Sequence, residues 1–223
     1  MFPDKTNEEP KISVAAFVKN APVKLDVEVL AGENGLRQKQ IVSSRIQKLG
    51  LALAEFSNYI HAGRIQIVGQ SEISYLEQLE SERRIEALNN LDLDKISCIL
   101  ITKNLKLPPK FKTIAEEKKL PVLRITQVSS KTINLVSNHL LKVLAPQTTL
   151  YSFLMGIYGL GMLILGDSGI GKSECALGLI ARGHRLISDD TIILKRIGDC
   201  LEISCAIWDL MRQKYWLKSI RQC

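Results

Sequence analysis

Residues 166–173 read Gly-Asp-Ser-Gly-Ile-Gly-Lys-Ser and meet the pattern G-x-x-x-x-G-K-[ST] at every fixed position. Such a loop works only between a strand and a helix, and the flanks supply both. Met162–Leu165 is a compact apolar run expected to form a buried strand, and 173–181 has the pattern of a helix closed by Gly183. Side chains at Gly166, Gly169 and Gly171 would block either the close approach of backbone amides to phosphate oxygens or the backbone angles required. The start of the following helix adds unpaired N–H donors and the positive end of its dipole. Lys172 is placed to reach the β and γ phosphates, and the Ser173 hydroxyl suits Mg²⁺. The candidate nucleotide-binding residues are therefore Gly166, Asp167, Ser168, Gly169, Ile170, Gly171, Lys172 and Ser173, with Ser173 as the metal ligand. A dinucleotide fingerprint is excluded, because neither Gly169 nor Gly159 opens a complete G-x-G-x-x-G.

Arg185–Ser188 reads as the next strand and delivers Asp189 and Asp190 at its end, one helix after the loop. In an open α/β sheet that edge is where ligands bind. Strand residues alternate in direction, so one carboxylate is expected to face the phosphates and the other to support it. A carboxylate there can accept the proton of an attacking hydroxyl.

The N-terminal part alternates strand-like and helix-like segments. Strands are expected at Val23–Leu30, Arg64–Val68, Ile96–Thr102 and Val122–Ile125, and helices at Ser71–Leu88, Lys110–Lys119 and Ser129–Leu144. Ser71 is the candidate cap of the first of these helices, Pro108 and Pro109 open the second, and Pro121 stops it. Strands separated by crossover helices imply a largely parallel sheet. The polar, Pro-containing stretch 144–149 has no period and marks the boundary. The expected fold is α/β in two domains, residues 1–145 and a P-loop domain at 146–223, the second with an atypical tail from about 206 that shows no clear strand.

Composition narrows the function classes. Thirty Lys and Arg against 23 Asp and Glu give a net charge of +7, but the charges are interspersed, as at Glu116-Glu117-Lys118-Lys119, with no aromatic interleaving for base stacking. Nucleic acid is not an expected partner. The five cysteines form no C-x-x-C pair, which argues for reduced thiols and against a structural metal. Phe153–Leu165, the longest apolar run, has 13 residues against the roughly 20 of a spanning helix, and residues 1–5 lack a signal-peptide pattern. A cytoplasmic protein without a membrane partner is expected.

Several stretches resemble the bacterial HPr kinase/phosphorylase family. In the first domain these are Leu30-Ala31-Gly32-Glu33-Asn34-Gly35-Leu36, Gly63–Gly69 and Leu120–Arg124. In the second they are Tyr158-Gly159-Leu160-Gly161, the glycine loop, Arg182-Gly183-His184-Arg185-Leu186 and Asp189-Asp190. The resemblance runs from about residue 12 to 194, with nothing after Asp199 resembling the family. It implies a kinase that uses ATP or pyrophosphate with Mg²⁺, acts on a serine of the phosphocarrier protein HPr, reverses the reaction by phosphorolysis, and assembles as a homohexamer. Lys172 then binds phosphate, and Asp190 is the base toward the substrate serine, with Asp189 beside it. Tyr151 stands at the position of a family catalytic-site His, a phenol in place of an imidazole. The family continues for roughly eighty further residues, including an E-x-R-G-x-G segment, so the chain is expected to be a C-terminally truncated form. Two alternatives follow: an inactive remnant that keeps nucleotide binding or only the contacts of its first domain, and a small-molecule P-loop kinase.

Overall fold

The computed structural model describes residues 10–53, 60–189 and 191–205, together with the short strand at Trp216–Leu217. Two compact units meet in sequence between Leu144 and Ala145.

The N-terminal unit begins with β1 (Ile12–Ser13), α1 (Val14–Asn20), β2 (Glu28–Ala31), β3 (Gln40–Ile41), β4 (Gln47–Lys48) and α2 (Gly50–Leu53). It continues through β5 (Arg64–Val68), α3 (Gln70–Gln78), α4 (Ser81–Asn89), β6 (Ile96–Ile101), α5 (Pro109–Glu117), β7 (Val122–Arg124) and α6 (Ser129–Val143). Strands β4, β5, β6 and β7 lie side by side and parallel, and β2 closes the sheet antiparallel to β7. Helices cover both faces. Ile73, Leu76, Leu88 and Phe111 pack over Val68, Ile99 and Val122 on one side, and Val14, Phe17, Val136 and Leu140 pack over Ile65, Ile67 and Leu100 on the other. This explains why β6, Ile-Ser-Cys-Ile-Leu-Ile, is buried along its whole length and reads as a continuous run.

Three expectations for this unit are corrected. Val23–Leu25 is a 3₁₀ turn after Pro22, and Asp26 with φ +47° breaks the chain before the strand starts at Glu28. Residues 71–88 hold two helices. Arg84 donates from Nη2 to the carbonyls of Glu77 and Leu79, 3.1 and 2.8 Å away, and so satisfies the end of α3 where no Gly or Pro marks a stop. The cap of α3 is Gly69, not Ser71, with the Glu72 carboxylate accepting the Gly69 N–H at 2.9 Å.

The C-terminal unit contains β8 (Gln147–Tyr151), β9 (Phe153–Ile157), β10 (Leu160–Ile164), α7 (Lys172–Ala181), β11 (Arg185–Ser188), β12 (Thr191–Ile197), β13 (Cys200–Cys205) and β14 (Trp216–Leu217). Two antiparallel sheets form, in the orders β10-β9-β11 and β14-β13-β12-β8. Leu154, Leu163 and Ile187 from the first share an apolar core with Leu150, Ile192, Leu194 and Leu201 from the second. The stretch 144–149, expected to be irregular, therefore supplies part of β8. Trp216–Leu217 pairs with β13 where no strand was expected, and residues 206–215 and 218–223, the rest of the tail, lie outside the described residues.

Candidate functional site

Strand β10 is an edge strand, not the buried one its apolar run suggests: Met162 is 49% exposed. It forms a hairpin with β9 through Tyr158 and Gly159, both at positive φ (+50° and +80°), the geometry of a two-residue primed turn. Tyr158 also meets His184 edge-on, with ring centroids 5.0 Å apart.

From the end of β10 the chain enters the glycine loop and then α7, so the strand–loop–helix arrangement is present. Gly169 and Gly171 take φ of +82° and +95°, and an added Cβ at Gly169 would meet nothing within 4 Å, which leaves that side of the loop open. Gly171 is the N-cap of α7 and has no side chain to offer as an acceptor, so the first-turn amides of α7 are left for another acceptor. The Lys172 Nζ donates to the carbonyls of Gly166 at 2.8 Å and Asp167 at 2.7 Å, which holds the ammonium over the loop. Ser173 is exposed in the first turn.

The register of the sheet brings further residues to this edge. Both β10 and β11 run antiparallel to the strand between them, β9, and are thus parallel to one another, with α7 as the crossover. The last residue of β10, Ile164, pairs with Phe153, and the last of β11, Ser188, pairs with Leu154. Asp189, which follows Ser188, is exposed at the same end of the sheet as the end of β10, with β9 between the two strands. Asp190 lies outside the described residues. On the second sheet Tyr151 pairs with Thr191 and is 77% exposed. One sheet edge thus gathers the start of the loop, Asp189 and the junction at Tyr151. Sequence reasoning missed Ser152, which is 3% exposed at that junction and whose hydroxyl has no hydrogen-bond partner among the described residues. A small polar residue just before the apolar strand β9 was its only signal. Among the described residues no group of three or more His, Cys, Asp or Glu is placed to hold a metal.

These features define a two-unit α/β protein whose second unit presents a glycine loop at the mouth of a helix. The chain belongs to the HPr serine kinase family: residues 12–140 match the family profile described as HPr Serine kinase N terminus and residues 142–209 the one described as HPr Serine kinase C-terminal domain. The second match extends past Asp199, where the sequence alone showed no resemblance, and takes in all of β13.

Similar proteins include the HPr kinase/phosphorylase of Geobacter sulfurreducens, 42% identical over 77% of this chain and 54% of its own length. That of Bacillus cereus is 35% identical over 84% of this chain and 59% of its own length. That of Clostridium perfringens is 41% identical over 76% of this chain and 55% of its own length. The chain thus spans between about half and three fifths of the length of these relatives.

Proposed function

We propose that this chain acts as a serine-protein kinase/phosphorylase that moves a phosphoryl group between ATP or pyrophosphate and a serine of the phosphocarrier protein HPr. The observation that carries the reading is the shared sheet edge: loop, Lys172 and Asp189 stand where two parallel strands end. Family relatives named HPr kinase/phosphorylase supply the substrate. The amides of the loop and of the first turn of α7 take the phosphate oxygens, and Lys172 exchanges its loop carbonyls for phosphate. Mg²⁺, when bound, neutralises charge on the phosphate chain, and Ser173 is the residue here that would ligate it.

In the forward direction Asp190 accepts the proton of the serine hydroxyl, the serine Oγ forms a bond to the γ phosphorus, and the bond from that phosphorus to the bridging oxygen breaks to release ADP. In reverse an oxygen of inorganic phosphate attacks the phosphoserine phosphorus, pyrophosphate leaves, and Asp190 returns the proton to the serine oxygen. Asp189 supports Asp190. The same reading places the protein in the cytoplasm as a homo-oligomer, a hexamer by family resemblance. No helix among the described residues is long and apolar enough to cross a membrane.

A second reading, nucleotide binding without transfer, is favoured by Tyr151, a phenol where the family carries an imidazole. Calorimetry with Mg²⁺ and ATP or pyrophosphate, followed by transfer assays on HPr, separates the two. Binding that Lys172→Ala weakens about 10- to 100-fold, together with serine phosphorylation, supports the kinase. Binding alone supports the second reading, and no binding by folded protein sinks both.

A further inference from the structure

The N-terminal unit holds a cavity that the proposed function does not use. Strands β5 and β6 end side by side at Val68 and Ile101. The helices that open nearest to them leave on opposite faces of the sheet: α3 packs with Ile73 and Leu76 in one core, and α6 with Val136 and Leu140 in the other. Between their first turns the C-terminal edge of the parallel sheet opens into a cavity of about 420 Å³, lined among others by Lys48, Gln70, Glu72, Lys103, Ser129 and Ser130. That volume lies within the range of small-molecule sites, and the position is the crevice in which open parallel sheets bind ligands.

The lining selects for charge. Two lysines, Lys48 and Lys103, and one acidic residue, Glu72, line the cavity, and the Glu72 carboxylate already accepts the Gly69 N–H at 2.9 Å. The rim is held in place by buried contacts. The Thr102 hydroxyl lies 2.9 Å from the Ser129 hydroxyl and donates to the Val68 carbonyl at 3.3 Å, which ties the start of α6 to the end of β5. The Lys103 N–H donates to the Gln127 carbonyl at 3.0 Å, so the lysine leaves the chain from an anchored point. The first turns of two helices of nine and fifteen residues, on opposite sides of the sheet, also line the cavity through Gln70 and Ser71 and through Ser129 and Ser130. A single carboxylate has too few oxygens and too little charge to meet two ammoniums and two sets of amides. A phosphate group has both.

We infer that this cavity is a second anion site, distinct from the glycine loop, that takes a small phosphorylated molecule through Lys48, Lys103 and the amino ends of α3 and α6. The test uses the full chain carrying Lys172→Ala, so that its result is separable from that of the glycine-loop reading. Orthophosphate, pyrophosphate and acetate are titrated calorimetrically without Mg²⁺, and the amide signals of Gln70, Ser129 and Ser130 are followed by NMR. Expected is saturable binding of pyrophosphate, at least about tenfold tighter than acetate, with shifts of those amides. Adding Lys48→Gln and Lys103→Gln should weaken it about tenfold or more and leave the melting temperature unchanged, because both side chains are exposed. Absence of saturation, an affinity indifferent to the two lysine substitutions, acetate binding as tight as pyrophosphate, or shifts confined to residues 166–173 would each overturn the inference.

Discussion

The two units bury their apolar side chains in opposite ways. In the N-terminal unit the sheet is parallel except for its edge strand β2, covered on both faces, and continuous cores run above and below it. In the C-terminal unit α7 buries only Ala176, while Leu165, Ile170 and Leu177 are 52%, 69% and 64% exposed. The first arrangement concentrates stability, and the second leaves a glycine loop accessible at an edge. Folding free energy and the candidate phosphate chemistry therefore reside in different parts of the chain, which mutation can test directly.

The largest expected contrast is between Phe111 and Leu177. Phe111 is wholly buried under the parallel sheet, so Phe111→Ala should cost about 3–5 kcal/mol through lost burial and the cavity left behind. Leu177→Ala, at an exposed position on α7, should stay within about 0.5 kcal/mol. Urea denaturation followed by circular dichroism reads both, and equal losses would break the comparison.

A smaller contrast lies within α7. Gly171 must hold φ of +95°, so Gly171→Ala should cost roughly 1–2 kcal/mol and weaken pyrophosphate binding to the loop. Gly178 lies inside the same helix, where an added Cβ would approach the Arg182 Nη1 at an ordinary 3.4 Å. Gly178→Ala should therefore stabilise by about 0.5–1 kcal/mol and spare binding. The paired measurement sharpens the claim that the loop glycine serves conformation and the helical one does not.

Much of this contrast was legible in the sequence, and the reason is the range of the interactions. Arg64–Val68 and Arg185–Ser188 were read with their observed bounds, because short branched runs closed by a Gly or by paired carboxylates carry their own boundaries. Helices α5 and α6 were read to within two residues at either end, from flanking prolines and from the period of Val136 and Leu140. The break between α3 and α4 was not legible, since it depends on Arg84 reaching back to two carbonyls. Nor was the edge position of β10: an apolar run looks the same whether its neighbours cover it or not, and only the insertion of β9 between β10 and β11 decides. At the site, the glycine loop and Lys172 are legible because the pattern G-x-x-x-x-G-K-[ST] has a fixed spacing, whereas Ser152 becomes notable only once its burial is known.

Thiol chemistry gives a third way to probe the difference. Burial of Cys98 in β6 pushes its thiol well above the usual range, whereas Cys175 in α7 is exposed. A disulfide-exchange reagent at neutral pH should modify Cys175 in the native protein and reach Cys98 only on unfolding, with mass spectrometry of the peptides as the readout. Native labelling of Cys98 at a comparable rate would show that the doubly covered sheet opens as readily as the other unit.

The smallest expected effect is a pH dependence in the N-terminal unit. His139 on α6 lies with its ring centroid 6.1 Å from that of Phe17, and its Nε2 is buried without a partner among the described residues. Burial first, and then the nearby Lys142 ammonium, hold the imidazole below its ordinary value of 6.5. The folded state therefore binds fewer protons than the unfolded chain once the pH falls below about 6.5. Above that value both states carry a neutral ring and stability is unaffected. Below it the unfolded chain protonates first and stability declines, until the pH has passed the depressed folded value. Other groups titrate in the same window, so the informative quantity is the difference between wild type and His139→Leu in melting temperature from about pH 7.5 to 5.5. The variant should lose less on acidification than the wild type. Identical slopes would mean that the imidazole is hydrated in the folded unit, and the close packing of α6 over α1 would lose its most sensitive reporter.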